Sequence, residues 1–238
     1  MHTREIEYEA DDRRLIGTMV HPGGDAPRPG IVVFHEGPGL DDHAKTRATR
    51  LAELGYITFA ADYHGGGTRL PMEEMRPRLG ELMGAPDRTR ALAHAALTVL
   101  LAEPGVDAGR IAAIGYCFGG TTALELARSG APVHAVVGFH SGLGTIQPAA
   151  EGSIVGSVLA CIGADDPMIA SEQRHAFEEE MRAAGADWRL NVYGGAVHSF
   201  TNPAADQYGI PAVKYHGPTD HRSWRAMIDL FDERFGNA

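Results

Sequence analysis

Apolar and polar positions alternate over residues 4–10 (REIEYEA) and 14–22 (RLIGTMVHP), with Asp11 and Asp12 between them, which predicts an antiparallel strand pair. The pattern then changes. Residues 30–36 (GIVVFHE), 56–62, 110–116, 133–140, 157–164 and 187–194 are short runs, mostly nearly all apolar, as expected of strands buried on both faces of a sheet. Between them lie stretches of helical period. Ala44, Ala48, Leu51 and Leu54 share one face of a helix that stops at Gly55. Residues 87–103 predict a helix with Asp87 as N-cap, and 118–130 predict another ending at Gly130. Two more are predicted over 171–185, where Phe177 and Met181 lie four apart, and over 220–235. Residues 63–86 read as irregular, with room for a short helix at the mouth of a site or a lid. Strands alternating with helices predict an α/β fold with a mostly parallel central sheet, helices on both faces and the antiparallel pair at its start. No composition break or internal repeat divides residues 1–238, so one domain is expected.

Composition narrows the function classes. The net charge of −10 in 238 residues speaks against a nucleic-acid binder, which needs a basic face. The longest apolar runs fall far short of the roughly 20 residues that span a bilayer, and the charged start carries no signal-peptide pattern. Two cysteines, Cys117 and Cys161, cannot make a disulfide framework, which favours a reducing, cytoplasmic setting. The sequence specifies no oligomeric state.

Cys117 stands in AAIGYCFGGTTALELA, where a predicted strand meets a predicted helix. Gly115 and Gly119 flank it two residues away on each side, and Gly120 follows. A nucleophile on a strained strand-to-helix turn needs this pattern, because side chains at the flanking positions would collide with the crossing elements. The helix start favours a thiolate, and the Phe118 N–H is free to face a developing oxyanion. Cys161, inside SVLACIG, reads as core packing.

A thiol nucleophile needs a base, and the base an orienting acid. After the strand at 157–164 comes ADDPM, at a strand's carboxyl end, where catalytic groups gather in such sheets. Asp166, directly before Pro167, is the preferred acid, with its neighbour Asp165 the alternative. After the next strand, YGGAVHSFTNP places His198 in a glycine-rich loop, completing the order nucleophile, acid, histidine. His21, His43, His94, His134, His175 and His221 mostly read as solvated or packing residues. Neither C-x-x-C nor H-E-x-x-H spacing occurs, so neither metal nor organic cofactor is expected.

GYCFGG, GADDP and GGAVHSFTNP, together with FHEGPGLDDH, resemble the dienelactone hydrolase family of α/β-hydrolases from about Ile31 to the C-terminal helix. The resemblance implies a Cys117–Asp166–His198 triad that hydrolyses a small ester or lactone through a thioester. It also singles out Glu36 near the thiol. A buried carboxylate there could accept the thiol proton, or it could only order the turn from Gly37 to Gly39. Gly37 would supply a second oxyanion N–H beside Phe118. Family members with the dienelactone as substrate hold its carboxylate with arginines, one of them soon after the histidine. Here Thr201 and Asn202 stand in that place, which leaves Arg69, Arg76 and Arg78 as candidates, with His35 and Tyr63 as candidate pocket lining. A general carboxylesterase or thioesterase, and a non-catalytic sensor using Cys117 as a redox switch, are the competing readings.

Overall fold

The computed structural model describes residues 1–236. Eight strands form one sheet: β1 (His2–Ala10), β2 (Arg13–His21), β3 (Arg28–Phe34), β4 (Ile57–Ala61), β5 (Val106–Tyr116), β6 (Ala135–Phe139), β7 (Ser157–Gly163) and β8 (Asp187–Tyr193). Their spatial order is β1-β2-β4-β3-β5-β6-β7-β8. β1 pairs with β2 antiparallel and β2 with β4 antiparallel, whereas every pairing from β4 across to β8 is parallel. The mostly parallel α/β arrangement with an antiparallel start is therefore the observed one.

Five α-helices lie between the strands and a sixth follows the last: α1 (Asp42–Glu53), α2 (Met72–Met83), α3 (Pro86–Leu101), α4 (Phe118–Arg128), α5 (Ser171–Ala183) and α6 (Gly217–Phe235). Alternation along the strands builds a core on each side of the sheet. Val32 and Phe34 pack with Leu92 and Leu97 of α3, Leu124 of α4 and Phe177 of α5. Ile31 and Val33 point the other way, toward Leu51 of α1 and Leu230 and Phe231 of α6. Cys161 belongs to this second core, fully buried, and burial pushes its thiol up to about 12.

Three details differ from the sequence expectation. Residues 72–83 form a 12-residue helix despite Pro77 and Gly80. The ring of Pro77 removes one helical hydrogen bond, but buried Arg78 and Leu82 anchor the helix, with Arg78 donating to Asp11 Oδ2 at 2.8 Å and to the Tyr63 carbonyl at 3.3 Å. Asp87 is not the cap of α3: Ala85 occupies that place, Pro86 opens the helix, and Asp87 lies in the first turn. β5 begins at Val106 rather than near residue 110, because Arg28 and Pro29 pair with Val106 and Asp107 before the register shifts between Pro29 and Gly30.

Candidate active site

The parallel strands end on one edge of the sheet, and the candidate residues follow those ends. Cys117 joins β5 to α4 with φ 54° and ψ −122°, a left-handed conformation that costs a non-glycine residue energy. Its surroundings explain the glycines. A Cβ on Gly115 would lie 2.0 Å from the Gly119 carbonyl oxygen, and one on Gly119 would lie 2.2 Å from the His35 carbonyl oxygen. A Cβ on Gly120 would meet Ser141 Oγ at 1.8 Å. Helix α4 thus meets the ends of β3 and β5 at backbone contact and packs against the Ser141 side chain just past β6. The Cys117 N–H is held by the Phe139 carbonyl at 2.9 Å and by His140 Nδ1 at 3.1 Å.

His198 and Asp166 meet across 32 residues of chain. His198 Nδ1 lies 2.8 Å from Asp166 Oδ2, and both groups are buried. A carboxylate only accepts, so Nδ1 donates this bond and Nε2 is the nitrogen left to exchange a proton with the thiol. Nε2 is buried and has no nitrogen or oxygen partner among the described residues, and Cys117 is the group that raises the ring most. Burial by itself would lower His198, but Cys117 and Asp166 together outweigh it and hold the imidazole well above its usual value. Asp165 points elsewhere: exposed, it accepts from the Gly195 N–H at 3.0 Å and ties down the β8 end.

Glu36 follows β3 and is 3 % exposed. Its Oε1 accepts from Ser199 Oγ at 2.8 Å, and its Oε2 accepts from Asn202 Nδ2. Burial raises its pKa, and the Ser199 and Asn202 bonds oppose that rise. Both carboxylate oxygens therefore bind the loop that carries His198. Gly37 comes next, under α2, where a Cβ would come 2.9 Å from Leu79 Cδ1. The Gly37 and Phe118 N–H groups have no protein acceptor among the described residues; for Phe118, the first residue of α4, the helix offers none.

His35 and Tyr63, expected as pocket lining, are instead fully buried and stacked, with ring centroids 3.7 Å apart. Tyr63 Oη donates to the His35 carbonyl at 2.8 Å, and His64 Nε2 donates to the Gly37 carbonyl at 2.8 Å. These bonds turn the carbonyls of the Glu36 loop toward the core side. Asp62, also buried, accepts from the N–H groups of Ile16, His64, Gly65 and Gly67 at 2.9–3.1 Å, and so folds the segment that presents His64. The three arginines are dispersed, and Arg69 pairs through its backbone with Gly39 of the Glu36 loop. Arg78 is in its buried pair with Asp11, Arg69 lies 5.6 Å from the Tyr208 ring centroid, and Arg76 is exposed on α2.

Two histidines carry more than sequence reasoning assigned them. His140, not singled out, is fully buried with φ 43° and links the Cys117 N–H to Thr201 Oγ1, 2.8 Å from its Nε2. Burial, then His198, keep it well below its usual pKa and neutral. The available signal was a histidine ending β6, beside the turn. His43 is not a surface group: its side chain is 5 % exposed, and burial and then Arg47 push its pKa down to about 3. No group of three or more His, Cys, Asp and Glu side chains among the described residues is arranged to hold a metal.

A model of the dienelactone hydrolase family matches residues 15–235. The chain belongs to the dienelactone hydrolase family. It is 49 % identical to a solved structure named m3DLH, covering 98 % of both chains with a TM-score of 0.93. It is 44 % identical, over 99 % of both chains and with a TM-score of 0.94, to the dienelactone hydrolase-like promiscuous phosphotriesterase P91 from metagenomic libraries. A Yersinia pestis relative named "Putative carboxymethylenebutenolidase" is 25 % identical over 87 % of this chain and 79 % of its own. The protein is accordingly an ester or lactone hydrolase of the dienelactone hydrolase family. Of Thr201 and Asn202, which stand where an arginine was expected, Asn202 binds Glu36 and Thr201 Oγ1 meets His140 Nε2. No helix among the described residues is long and apolar enough to cross a membrane.

Proposed function

We propose that this dienelactone hydrolase family member cleaves a small ester or lactone by nucleophilic catalysis through Cys117, with His198 as acid and base and Asp166 as its orienting partner. The observation that carries the reading is the buried His198–Asp166 bond of 2.8 Å, with Cys117 the strongest influence raising the imidazole. Nε2 takes the thiol proton as sulfur attacks the carbonyl carbon. The Gly37 and Phe118 N–H groups stabilise the oxyanion. The tetrahedral intermediate collapses, the imidazolium protonates the departing alkoxide, and a Cys117 thioester remains. His198 then removes a proton from water, hydroxide adds to the thioester, and the acid leaves as the thiol is restored. Glu36 acts here as a positioning residue, because both its oxygens already hold the His198 loop. The segment 63–86 forms the wall above Gly37 within a single catalytic domain, and two free cysteines suit work in the cytoplasm.

The test is hydrolysis of a dienelactone, an aryl ester and an acyl thioester by wild type, Cys117→Ala and His198→Ala; a neutral phosphotriester joins the panel because P91 is named for that activity. Loss of turnover in both variants is expected, on the order of 10³-fold or more. Full activity in Cys117→Ala, or no turnover of any substrate by wild type, would refute the reading.

A further inference from the structure

A cavity of ≈ 310 Å³ begins at Phe118, the residue after Cys117, and runs between α2, the start of α3 and the loop after β6. That volume is at the lower end of small-molecule pockets. Leu82, Met83, Pro86, Phe118 and Ile146 supply its apolar walls. Met83 and Ile146 are 59 % and 71 % exposed, unusual for such side chains, and both flank the cavity. Each polar side chain in the wall makes at least one hydrogen bond or ion pair within the protein. Thr89 donates to the Leu82 carbonyl at 3.0 Å and Thr121 to the Gly142 carbonyl at 2.9 Å. Thr145 Oγ1 accepts from the Gln147 N–H, and Gln173 Oε1 accepts from the Leu143 N–H. Glu125, the one charged lining residue, is paired with Arg90 at 2.9 Å and Arg128 at 3.0 Å. No cation faces the space: Arg78 is occupied by Asp11, and Arg69 and Arg76 do not line it.

We infer that this cavity is the acyl subsite and that the preferred substrates carry an uncharged apolar acyl group, not a carboxylate. The inference rests on the proposed triad. The leaving alkoxide must stay beside His198, which protonates it, and no residue of the His198 loop lines the cavity. That leaves the acyl side of the ester to enter it. Each methylene that leaves water there raises kcat/KM about fourfold, from roughly 0.8 kcal/mol per group. A terminal carboxylate would lose its hydration with no cation to pair with and Glu125 in the same wall.

Three p-nitrophenyl esters with one leaving group test this: acetate, hexanoate and the monoester of adipate, which is hexanoate with a terminal carboxylate. Wild type should favour hexanoate over acetate by at least tenfold, and over the adipate by a similar factor. Gly144→Leu fills the cavity from its open side. A Cβ there makes only ordinary contact with Gln173, at 3.8 Å, so folding is preserved and is checked by the thermal midpoint. This variant should lose about tenfold on hexanoate and stay within twofold on acetate. Ile146→Asp, on an exposed loop position, should also penalise hexanoate selectively. Equal use of acetate and hexanoate, equal use of adipate and hexanoate, or parallel losses on acetate and hexanoate in the variants would overturn the subsite. Cys117→Ala separates the two readings. If it keeps turnover, the triad fails; if it is inactive while wild type shows no acyl preference, the subsite alone fails.

Discussion

Replacing Gly119 by alanine puts the crossing of α4 over β3 under direct test. The added Cβ would lie 2.2 Å from the His35 carbonyl oxygen, 2.4 Å from that of Phe34 and 2.6 Å from the Phe34 carbonyl carbon. All three are backbone atoms at the end of a buried strand, so no side chain can swing away. Restoring contact to roughly 3.2 Å requires α4 and the β3 end to separate by about 1 Å, at an overpacking cost of about 3 kcal/mol. The same movement pulls Cys117, two residues before Gly119, from Gly37, two residues after His35. A misplacement of that size costs on the order of 10²-fold in rate. Gly185→Ala is the control: its φ is +65°, so strain of about 1 kcal/mol is expected, but nothing lies within 4 Å of the added Cβ. Urea unfolding and kcat/KM, measured where both variants are folded, give the comparison. Should Gly119→Ala match Gly185→Ala in stability and wild type in kcat/KM, the elbow geometry argued here is wrong.

Removal of the Glu36 carboxylate strands the buried donors Ser199 Oγ and Asn202 Nδ2; Glu36→Ala should lose about 2–4 kcal/mol by denaturant unfolding, and Glu36→Gln, whose oxygen can accept from Asn202 Nδ2 while its amide donates to Ser199 Oγ, less than Glu36→Ala. Asp62→Ala leaves four backbone N–H groups without their acceptor, so about 3–5 kcal/mol of stability and a fall in kcat as His64 releases the Gly37 carbonyl are expected. The His198 ring, followed by NMR, should titrate above the ordinary value of about 6.5 in wild type and lower in Asp166→Asn. Because the folded-state value is the raised one, its stabilising contribution is complete below about pH 6.5 and is lost as pH rises through the folded-state midpoint. Stability that instead increased over that range at this site would contradict the His198–Asp166 assignment.

What the sequence made legible was local. The Gly-x-Cys-x-Gly-Gly stretch announced a turn because its glycines answer contacts only a few residues or one strand away, and the structure has those contacts at Gly115, Gly119 and Gly120. The doubly buried strands were equally plain, since Ile31 and Val33 serve one core and Val32 and Phe34 the other. Helix α2 was hidden by Pro77 and Gly80, whose local cost is offset by Arg78 reaching Asp11, 67 residues away in sequence. The bond from Asn202 to Glu36 spans 166 residues and that from His140 to Thr201 spans 61. No periodicity encodes such pairings, which arise only when separate strand ends converge. For the same reason Tyr63 and His35 looked like pocket lining, although their rings stack beneath the loop they hold.

The central claim is that Cys117 carries the acyl group. At mildly alkaline pH solvent can take the thiol proton in place of His198. With a p-nitrophenyl ester acylation needs little help from an acid because the leaving group is good, whereas deacylation still needs the His198 base to activate water. His198→Ala mixed with p-nitrophenyl hexanoate, quenched in acid and weighed intact, should therefore gain the mass of one hexanoyl group. Peptide mapping should put that group on Cys117, and it should be absent from a Cys117→Ala, His198→Ala double variant. An acyl group on another residue, or the same mass gain without Cys117, would contradict the account.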